Sequence, residues 1–125
     1  MSKSILYIED NPDNMLLVER LLRSKGFTML QAPNGISGVE AAQHQRPDLI
    51  LLDINLPDID GYEVARRLRA SASTSSIPII AITANALKGD VDKALTAGCD
   101  AYIPKPINLR ELWTNINLFT TAVPE

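Results

Sequence analysis

Short runs of consecutive apolar residues recur along this chain, and segments with helical periodicity separate them. The clearest run, at residues 49–52, contains no polar residue, which is typical of a strand buried on both faces of a sheet. Parallel strands need long crossover connections, and these are usually helices. The alternation therefore predicts an α/β fold with a parallel sheet, which restricts where functional residues can lie.

The same patterns predict the individual elements. Asn11 followed by Pro12 indicates the start of a first helix that Gly26 ends, and Asp60 and Asn108 are placed to cap the third and fifth helices. The second strand is more alternating, so we expect it at an edge of the sheet. The predicted strands cover residues 4–9, 27–32, 49–53, 77–83 and 101–104, and the helices include residues 35–45 and 88–97. Together these elements give a doubly wound, five-stranded parallel sheet with five helices.

The composition limits the classes of partner. Lys and Arg number 12 against 15 Asp and Glu, and the net charge of −3 argues against a protein that binds nucleic acid or a membrane surface. The single cysteine, Cys99, allows no intramolecular disulfide. Because there is no signal-peptide pattern and no membrane-span-length apolar segment, we expect a cytoplasmic protein. At 125 residues, we expect one domain over residues 1–125 and no output domain.

Polar residues lie at the carboxyl ends of most of the expected strands. In an open doubly wound sheet, ligands bind outside these strand ends, where the strand order reverses. Taken singly, each residue has a simpler explanation: a strand-end cap, a solvated loop, a β-branched strand residue or a surface lysine. Their common location favours one binding site instead. The set consists of Glu9, Asp10, Asp53, Thr83 and Lys105.

The residue types in this set suit phosphoryl transfer with a metal ion. Asp10 and Asp53 offer the hard oxygen ligands that Mg²⁺ prefers, and crowded carboxylates need a cation or a proton among them. An aspartate such as Asp53 can attack a phosphoryl group and form an acyl phosphate. The hydroxyl of Thr83 and the charge of Lys105 would be available to the phosphoryl oxygens.

A series of short motifs resembles the receiver domain of two-component response regulators, over essentially the whole chain. Each motif is weak alone, whereas their order and their positions at the strand ends are specific. The resemblance implies a flavodoxin-like three-layer sandwich with strand order 2-1-3-4-5. The motifs are Ile-Glu-Asp-Asn at 8–11, Leu-Asp at 52–53 with Leu-Pro at 56–57 and Asp-Gly at 60–61, Ile-Thr-Ala at 82–84, and Lys-Pro at 105–106 after Tyr102.

The resemblance also implies the chemistry of the site. Asp53 is expected to accept a phosphoryl group from a histidine on a partner histidine kinase or histidine phosphotransfer protein. Asp10, Asp53 and the backbone carbonyl of Asn55 would bind Mg²⁺, with Glu9 acting largely through water. Such a domain catalyses only its own phosphorylation and dephosphorylation, so we do not expect an enzyme that acts on other substrates.

A conformational switch is implied as well. Thr83 would move toward the phosphate and Tyr102 would turn inward behind it, although Tyr102 is also compatible with an ordinary half-buried edge residue. These movements would remodel the face of the fourth helix, fifth strand and fifth helix, where a downstream protein effector would bind. The bond from Lys105 to Pro106 is expected to be cis, which aims the lysine inward.

Residues outside this set receive separate interpretations. Asn55 and Asn85 lie two residues beyond Asp53 and Thr83, and the resemblance implies that these positions tune the lifetime of the phosphate. Cys99 is expected to fill space between the fourth helix and the fifth strand, and His44 is expected on an exposed helix surface, not as the phosphodonor. Trp113 is compatible with either the core or the partner-binding face.

Other classes fit the chain less well. A haloacid-dehalogenase-type phosphatase would need a second acid at the position of Asn55, and a flavodoxin-like carrier would need a hydroxyl- and glycine-rich loop in place of residues 9–12. The intact acid set argues against a degenerate receiver. The opening at residues 9–14 also resembles receivers of hybrid histidine kinases and regulators of the DivK kind. A stand-alone regulator and a receiver excised from a hybrid kinase therefore both stay open.

Overall fold

The sheet has the order that the sequence predicts. The computed structural model describes residues 3–84 and 89–120, and within them five parallel strands form one sheet in the order β2-β1-β3-β4-β5. The second and fifth strands lie at its edges, so the expected edge position of the second strand is confirmed. The strands are β1 (Ser4–Ile8), β2 (Thr28–Ala32), β3 (Leu49–Asp53), β4 (Ile79–Thr83) and β5 (Ala101–Pro104).

Helices cover both faces of this sheet and form two cores. Successive side chains of a strand point to opposite faces, so Ile5 and Tyr7 enter one core while Leu6 and Ile8 enter the other. The first and fifth helices close the core of Tyr7, and the second, third and fourth helices close the opposite one. This is the expected three-layer sandwich. The helices are α1 (Pro12–Ser24), α2 (Gly35–Gln45), α3 (Gly61–Ala70), α4 (Asp90–Ala97) and α5 (Leu109–Thr120).

The helix starts follow from their capping residues. The predicted N-caps Asn11, Asp60 and Asn108 each accept a hydrogen bond from the backbone N–H three residues further on, at 2.9–3.0 Å. Such bonds satisfy amide groups that have no partner inside the helix. The sequence-based starts of α1, α3 and α5 are therefore confirmed.

Several strand boundaries differ from the prediction because neighbouring turns capture the backbone groups. β4 begins at Ile79 and not at Ile77, since the N–H of Ile77 donates to Thr74 at 3.2 Å and Pro78 has no N–H to give. β2 begins after Phe27, whose N–H donates to Leu22 at the end of α1, at 3.0 Å. β1 ends one residue earlier than predicted, at Ile8, and α4 begins at Asp90; the expected start at Lys88 lies outside the described residues.

The topology creates a crevice at the carboxyl ends of β1 and β3. These strands are neighbours, with Ile8 paired to Leu52 in the register. The helix after β1 packs on one face of the sheet and the helix after β3 packs on the other. The two connections therefore diverge and leave an opening between them, which is where ligands bind in such sheets.

Gly61 fixes the loop that borders this crevice. Its N–H donates to the carbonyl oxygen of Ile54 at 2.8 Å. A Cβ atom at this position would lie 2.6 Å from the Cα of Ile54 and 2.8 Å from the carbonyl oxygen of Asp53, both of which are backbone atoms that cannot rotate away. The Asp-Gly motif at 60–61 thus combines a helix cap with a residue small enough to let α3 approach the end of β3.

Candidate functional site

Three acidic side chains meet at the end of β1 and β3. Carboxylate oxygens of Glu9, Asp10 and Asp53 all lie within 4.8 Å of one another. Glu9 and Asp53 are buried, whereas Asp10 is exposed to solvent. The structure therefore brings together the acids that the sequence places at two separate strand ends.

Asp53 is held from two sides. Its side chain is buried, with 1% of the residue exposed, although it is ionisable. Oδ1 accepts a hydrogen bond from the backbone N–H of Asn55 at 3.0 Å and lies 3.1 Å from Nζ of Lys105. A buried carboxylate is costly unless it is paired and hydrogen-bonded, and both partners are supplied here.

Glu9 is more crowded by donors than Asp53. Oε1 accepts from the hydroxyl of Tyr7 at 2.8 Å and from Nδ2 of Asn14 at 3.4 Å, and it lies 3.8 Å from Nζ of Lys105. Oε2 accepts from the backbone N–H of Asn11 at 3.2 Å. Burial and the contact with the Asp53 carboxylate raise the pKa of Glu9, and the Tyr7 hydroxyl and Lys105 oppose that rise.

The remaining predicted groups lie on the neighbouring strands. Thr83 is the last residue of β4 and is buried, and its backbone carbonyl accepts the N–H of Lys105 at 2.8 Å. The peptide bond from Lys105 to Pro106 is cis. Thr83 pairs with Pro104 across β4 and β5, so Lys105 directly follows the end of this strand pair. Its Nζ extends to Asp53 at the end of β3.

The other residues singled out from the sequence lie away from the acid cluster or outside the described residues. Cys99 is buried in the core between the sheet, α2, α3 and α4, and His44 is exposed on α2 with Nδ1 2.9 Å from the carbonyl oxygen of Glu40. Trp113 is partly buried beside Phe27, with ring centroids 6.0 Å apart in an edge-to-face arrangement, so it packs near the end of α1. Asn85 lies outside the described residues.

Sequence reasoning missed two residues that contact the acid cluster. Tyr7 is fully buried in β1, and Asn14 lies in the first turns of α1, yet both donate to Glu9. The available signal was spacing, because residues two apart on a strand lie on the same face. A tyrosine two positions before a strand-end glutamate was therefore placed to contact it.

Comparison with known proteins identifies the family. The sequence matches the response regulator receiver domain over residues 5–117. This chain belongs to the response regulator receiver domain family. The phosphorylation-dependent switch of two-component signalling is thereby supported, and the phosphatase alternative is not favoured.

Individual relatives agree with this assignment. The chain is 42% identical to the polar-differentiation response regulator DivK of Brucella anthropi over 87% of this chain and 89% of the relative. It is 40% identical to the receiver domain of the sensor histidine kinase PA1611 from Pseudomonas aeruginosa PAO1, with a TM-score of 0.90 over 98% and 100% of the two chains. That receiver was solved with a magnesium ion in its active-site cleft. A response regulator of Chloroflexus aurantiacus is 25% identical, with a TM-score of 0.92 over 98% and 100%.

Two further features of the described residues are compatible with a receiver domain. No helix within residues 3–84 and 89–120 is both long and apolar enough to cross a membrane. The acid cluster supplies oxygen donors of the type that Mg²⁺ prefers, since Glu9, Asp10 and Asp53 each offer one carboxylate oxygen within the same small volume. The donor set therefore fits the metal of the solved relative.

Proposed function

We propose that Asp53 is the phosphoacceptor of this receiver and takes its phosphoryl group from a histidine of a histidine kinase or a histidine phosphotransfer protein. A carboxylate oxygen of Asp53 forms the new P–O bond while the P–N bond of the phosphohistidine breaks. The observation that carries the proposal is the buried Asp53, held 3.1 Å from Lys105 within a cluster of three acids. Asp10 is exposed and Glu9 already accepts several hydrogen bonds, so both are poorer candidates for the nucleophile.

The acids around Asp53 are proposed to hold Mg²⁺. Asp10, Asp53 and the backbone carbonyl of Asn55 would be its ligands, and Glu9 would act largely through water. When bound, the ion supplies positive charge that offsets the charge of the phosphoryl oxygens and of the clustered carboxylates. The burial of Glu9 and Asp53 beside the exposed Asp10 supports this proposal, because it leaves one side of the cluster open to an incoming ion.

Lys105 and Thr83 are proposed to bind the phosphoryl oxygens. Nζ of Lys105 already contacts Asp53 Oδ1 at 3.1 Å, so its charge is available to an oxygen carried by that side chain. Thr83 ends the adjacent strand β4 and can offer its hydroxyl to another oxygen after a small movement. Phosphoryl transfer depends mainly on positioning and charge neutralisation, and these residues provide both.

The switch is proposed to run from Thr83 to Tyr102 and to the face of α4, β5 and α5. Tyr102 lies on the edge strand with 40% of its surface exposed, and Leu95 of α4 is 47% exposed. Both border a shallow groove whose other walls include Glu111 and Asn115 of α5. An inward rotation of Tyr102 would change this groove, and a downstream protein effector would detect the difference.

Some expectations from the sequence stay predictions. These are the single-domain organisation over residues 1–125, the cytoplasmic location, the absence of nucleic-acid and membrane partners, and the absence of activity on other substrates. The similarity to DivK supports a stand-alone regulator, and the similarity to the receiver of PA1611 supports the alternative of a receiver from a hybrid kinase. Both alternatives use the same site.

The proposed function can be tested by intact-mass spectrometry. The protein is incubated with Mg²⁺ and acetyl phosphate, which donates a phosphoryl group without a kinase. We expect a mass increase of one phosphate in the wild type and none in Asp53→Asn. The control is Glu40→Gln, which makes the same carboxylate-to-amide change on an exposed residue of α2 and should be phosphorylated normally.

Two outcomes would contradict the proposal. One is an Asp53→Asn variant that gains phosphate as readily as the wild type. The other is a folded wild type that gains no phosphate with Mg²⁺ and also fails to bind beryllofluoride, an analogue of the phosphoryl group.

A further inference from the structure

Tyr7 is the only tyrosine in the described residues that is fully buried in the sheet, and its hydroxyl is turned toward the acid cluster. None of the residue is exposed to solvent, and its ring packs in the core beneath α1 and α5. Its hydroxyl donates to Oε1 of Glu9 at 2.8 Å. A buried hydroxyl needs a hydrogen-bond partner, so this contact satisfies both the tyrosine and the carboxylate.

The contact follows from the strand geometry. Glu9 directly follows β1, and its N–H still donates to the carbonyl of Ala32 in β2 at 3.0 Å. The alternation of side chains along the strand therefore continues to Glu9 and puts it on the same side as Tyr7. The main chain of β1 is fixed by pairing on both sides, with Tyr7 opposite Gln31 and Leu51. The phenol ring therefore has one rigid location from which its hydroxyl reaches the end of the strand.

The other donors to Glu9 lie further from its carboxylate than the Tyr7 hydroxyl does. Nδ2 of Asn14 approaches Oε1 at 3.4 Å and the N–H of Asn11 approaches Oε2 at 3.2 Å, both longer than the contact from Tyr7. Lys105 is further still, at 3.8 Å, and it also contacts Asp53. The Tyr7 contact is the shortest of the four and comes from a ring held in the core, so it constrains most closely where Oε1 of Glu9 lies.

We propose that Tyr7 is a positioning residue for the metal site and fixes the Glu9 carboxylate in the orientation that supports Mg²⁺ binding. This inference rests on the proposed function, in which Asp10, Asp53 and the backbone carbonyl of Asn55 bind Mg²⁺ and Glu9 acts largely through water. Residues that orient metal ligands affect affinity because a carboxylate free to rotate must be ordered when the ion binds. Tyr7 acts through Glu9 and touches neither the ion nor the phosphoryl group.

The test is Mg²⁺ binding by isothermal titration calorimetry, without any phosphodonor. Tyr7→Phe removes the hydroxyl and keeps the ring, so the core around it stays filled. Loss of such an orienting group weakens metal binding by about 10- to 100-fold, and we expect about tenfold here because Glu9 acts largely through water. Ile5→Val is the control, since it removes one methyl group from the same face of β1 without touching a carboxylate.

A double-mutant comparison separates positioning from a general effect on the fold. Glu9→Gln removes the carboxylate that Tyr7 is proposed to orient, so adding Tyr7→Phe to Glu9→Gln should change the Mg²⁺ affinity less than twofold. An equal loss of affinity in both backgrounds, or a Tyr7→Phe variant that binds Mg²⁺ like the wild type, would overturn the inference alone. A wild type that binds no Mg²⁺ would contradict the proposed function as well.

Discussion

Lys105 is the residue whose position most directly links the acids of the site. Nζ lies 3.1 Å from Asp53 and 3.8 Å from Glu9, so one cation is shared between two buried carboxylates. A compact ammonium group on a flexible stem can stay near Asp53 and follow an added phosphoryl oxygen. Replacing Lys105 therefore tests how negative charge is neutralised during phosphoryl transfer.

Replacing Lys105 with methionine should slow phosphorylation. The variant keeps a long apolar side chain but removes the charge that is proposed to stabilise the phosphoryl oxygens, and we expect the rate with acetyl phosphate to fall about 100-fold. The rate is measured by intact mass over time at fixed Mg²⁺. Arg23→Met, which removes an exposed cation of α1, should leave it unchanged. Equal rates for Lys105→Met and the wild type would remove Lys105 from the proposed site.

Single residues were predictable where a strand end determined their location. Asp53 is the last residue of β3 and Lys105 directly follows β5, so parallel pairing brings both to the same edge of the sheet. Tyr7 and Asn14 were not predicted because their role depends on which way a side chain turns after the backbone is placed. The hydrogen bonds to Glu9 became visible only in the folded arrangement.

At the scale of elements, the loop after β3 also caps the start of helix α2. The carboxylate of Asp58 accepts hydrogen bonds from the N–H groups of Gly35 at 2.7 Å and Ile36 at 2.9 Å, at the start of α2. Although desolvation pushes the pKa of Asp58 upward, the bonds from Ile36 and Gly35 hold it below the usual aspartate value. The loop that supports Asp53 and Asn55 is therefore tied to α2.

Asp58→Ala should destabilise the protein in a pH-dependent way. A carboxylate with a lowered pKa stabilises the folded state above its unfolded pKa, and that stabilisation is lost as the pH falls through the folded pKa. We expect the free energy of unfolding at neutral pH to drop by about 1 kcal/mol, as for a lost helix cap, and the difference from wild type to shrink under acid conditions. Urea unfolding across a pH series measures both.

The control for this series is Glu40→Ala, which removes an exposed carboxylate from the same helix. It should change the free energy of unfolding little at any pH. A difference in the free energy of unfolding between Asp58→Ala and the wild type that stays constant from neutral to acid pH would contradict a stabilising role for the ionised Asp58 carboxylate at the start of α2.

The elements themselves were largely predictable, and so were some of their boundaries. The limits predicted for α2, β3 and β5 agree with the structure, because periodicity and capping residues define them locally. Arg69 shows what local patterns miss: it lies in α3 and donates to the carbonyls of Ser75 and Ile77 and to the carboxylate of Asp100. Such a link between distant segments has no signature in the sequence around Arg69.

For the whole molecule, the acid cluster and the proposed partner-binding face lie on different parts of the sheet. The cluster is at the carboxyl ends of β1 and β3, whereas Tyr102 and Leu95 are exposed beside the edge strand β5. β4 connects them, since it pairs with β3 on one side and β5 on the other and ends at Thr83. The proposed switch therefore has one strand, β4, between Asp53 and this face.

Binding of beryllofluoride and Mg²⁺ should produce the same conformational change as phosphorylation, without transfer of a phosphoryl group. In protein labelled with fluorotyrosine, we expect the ¹⁹F signal of Tyr102 to become less accessible to a soluble paramagnetic probe, while that of Tyr7 stays protected. The chain has three tyrosines, so Tyr102→Phe assigns the signal. Beryllofluoride binding that leaves the accessibility of Tyr102 unchanged would contradict the proposed switch, although not the phosphoacceptor.

Fold and family were accessible from the sequence because several independent signals agreed. The alternation of elements indicated a parallel α/β sheet, and the motifs at its strand ends indicated a receiver, which the family match confirms. The identity of the upstream kinase and the downstream effector could not be predicted in the same way. Partner choice depends on the shape and charge of surfaces that no local pattern of residues determines.

The most direct test of the central claim is to locate the phosphate on the chain. After phosphorylation with acetyl phosphate and Mg²⁺, borohydride reduces an aspartyl phosphate to homoserine, and tandem mass spectrometry of peptides identifies the changed residue. Our account predicts homoserine at position 53 and nowhere else. Homoserine at position 10, or a phosphorylated protein in which Asp53 is unchanged, would contradict it.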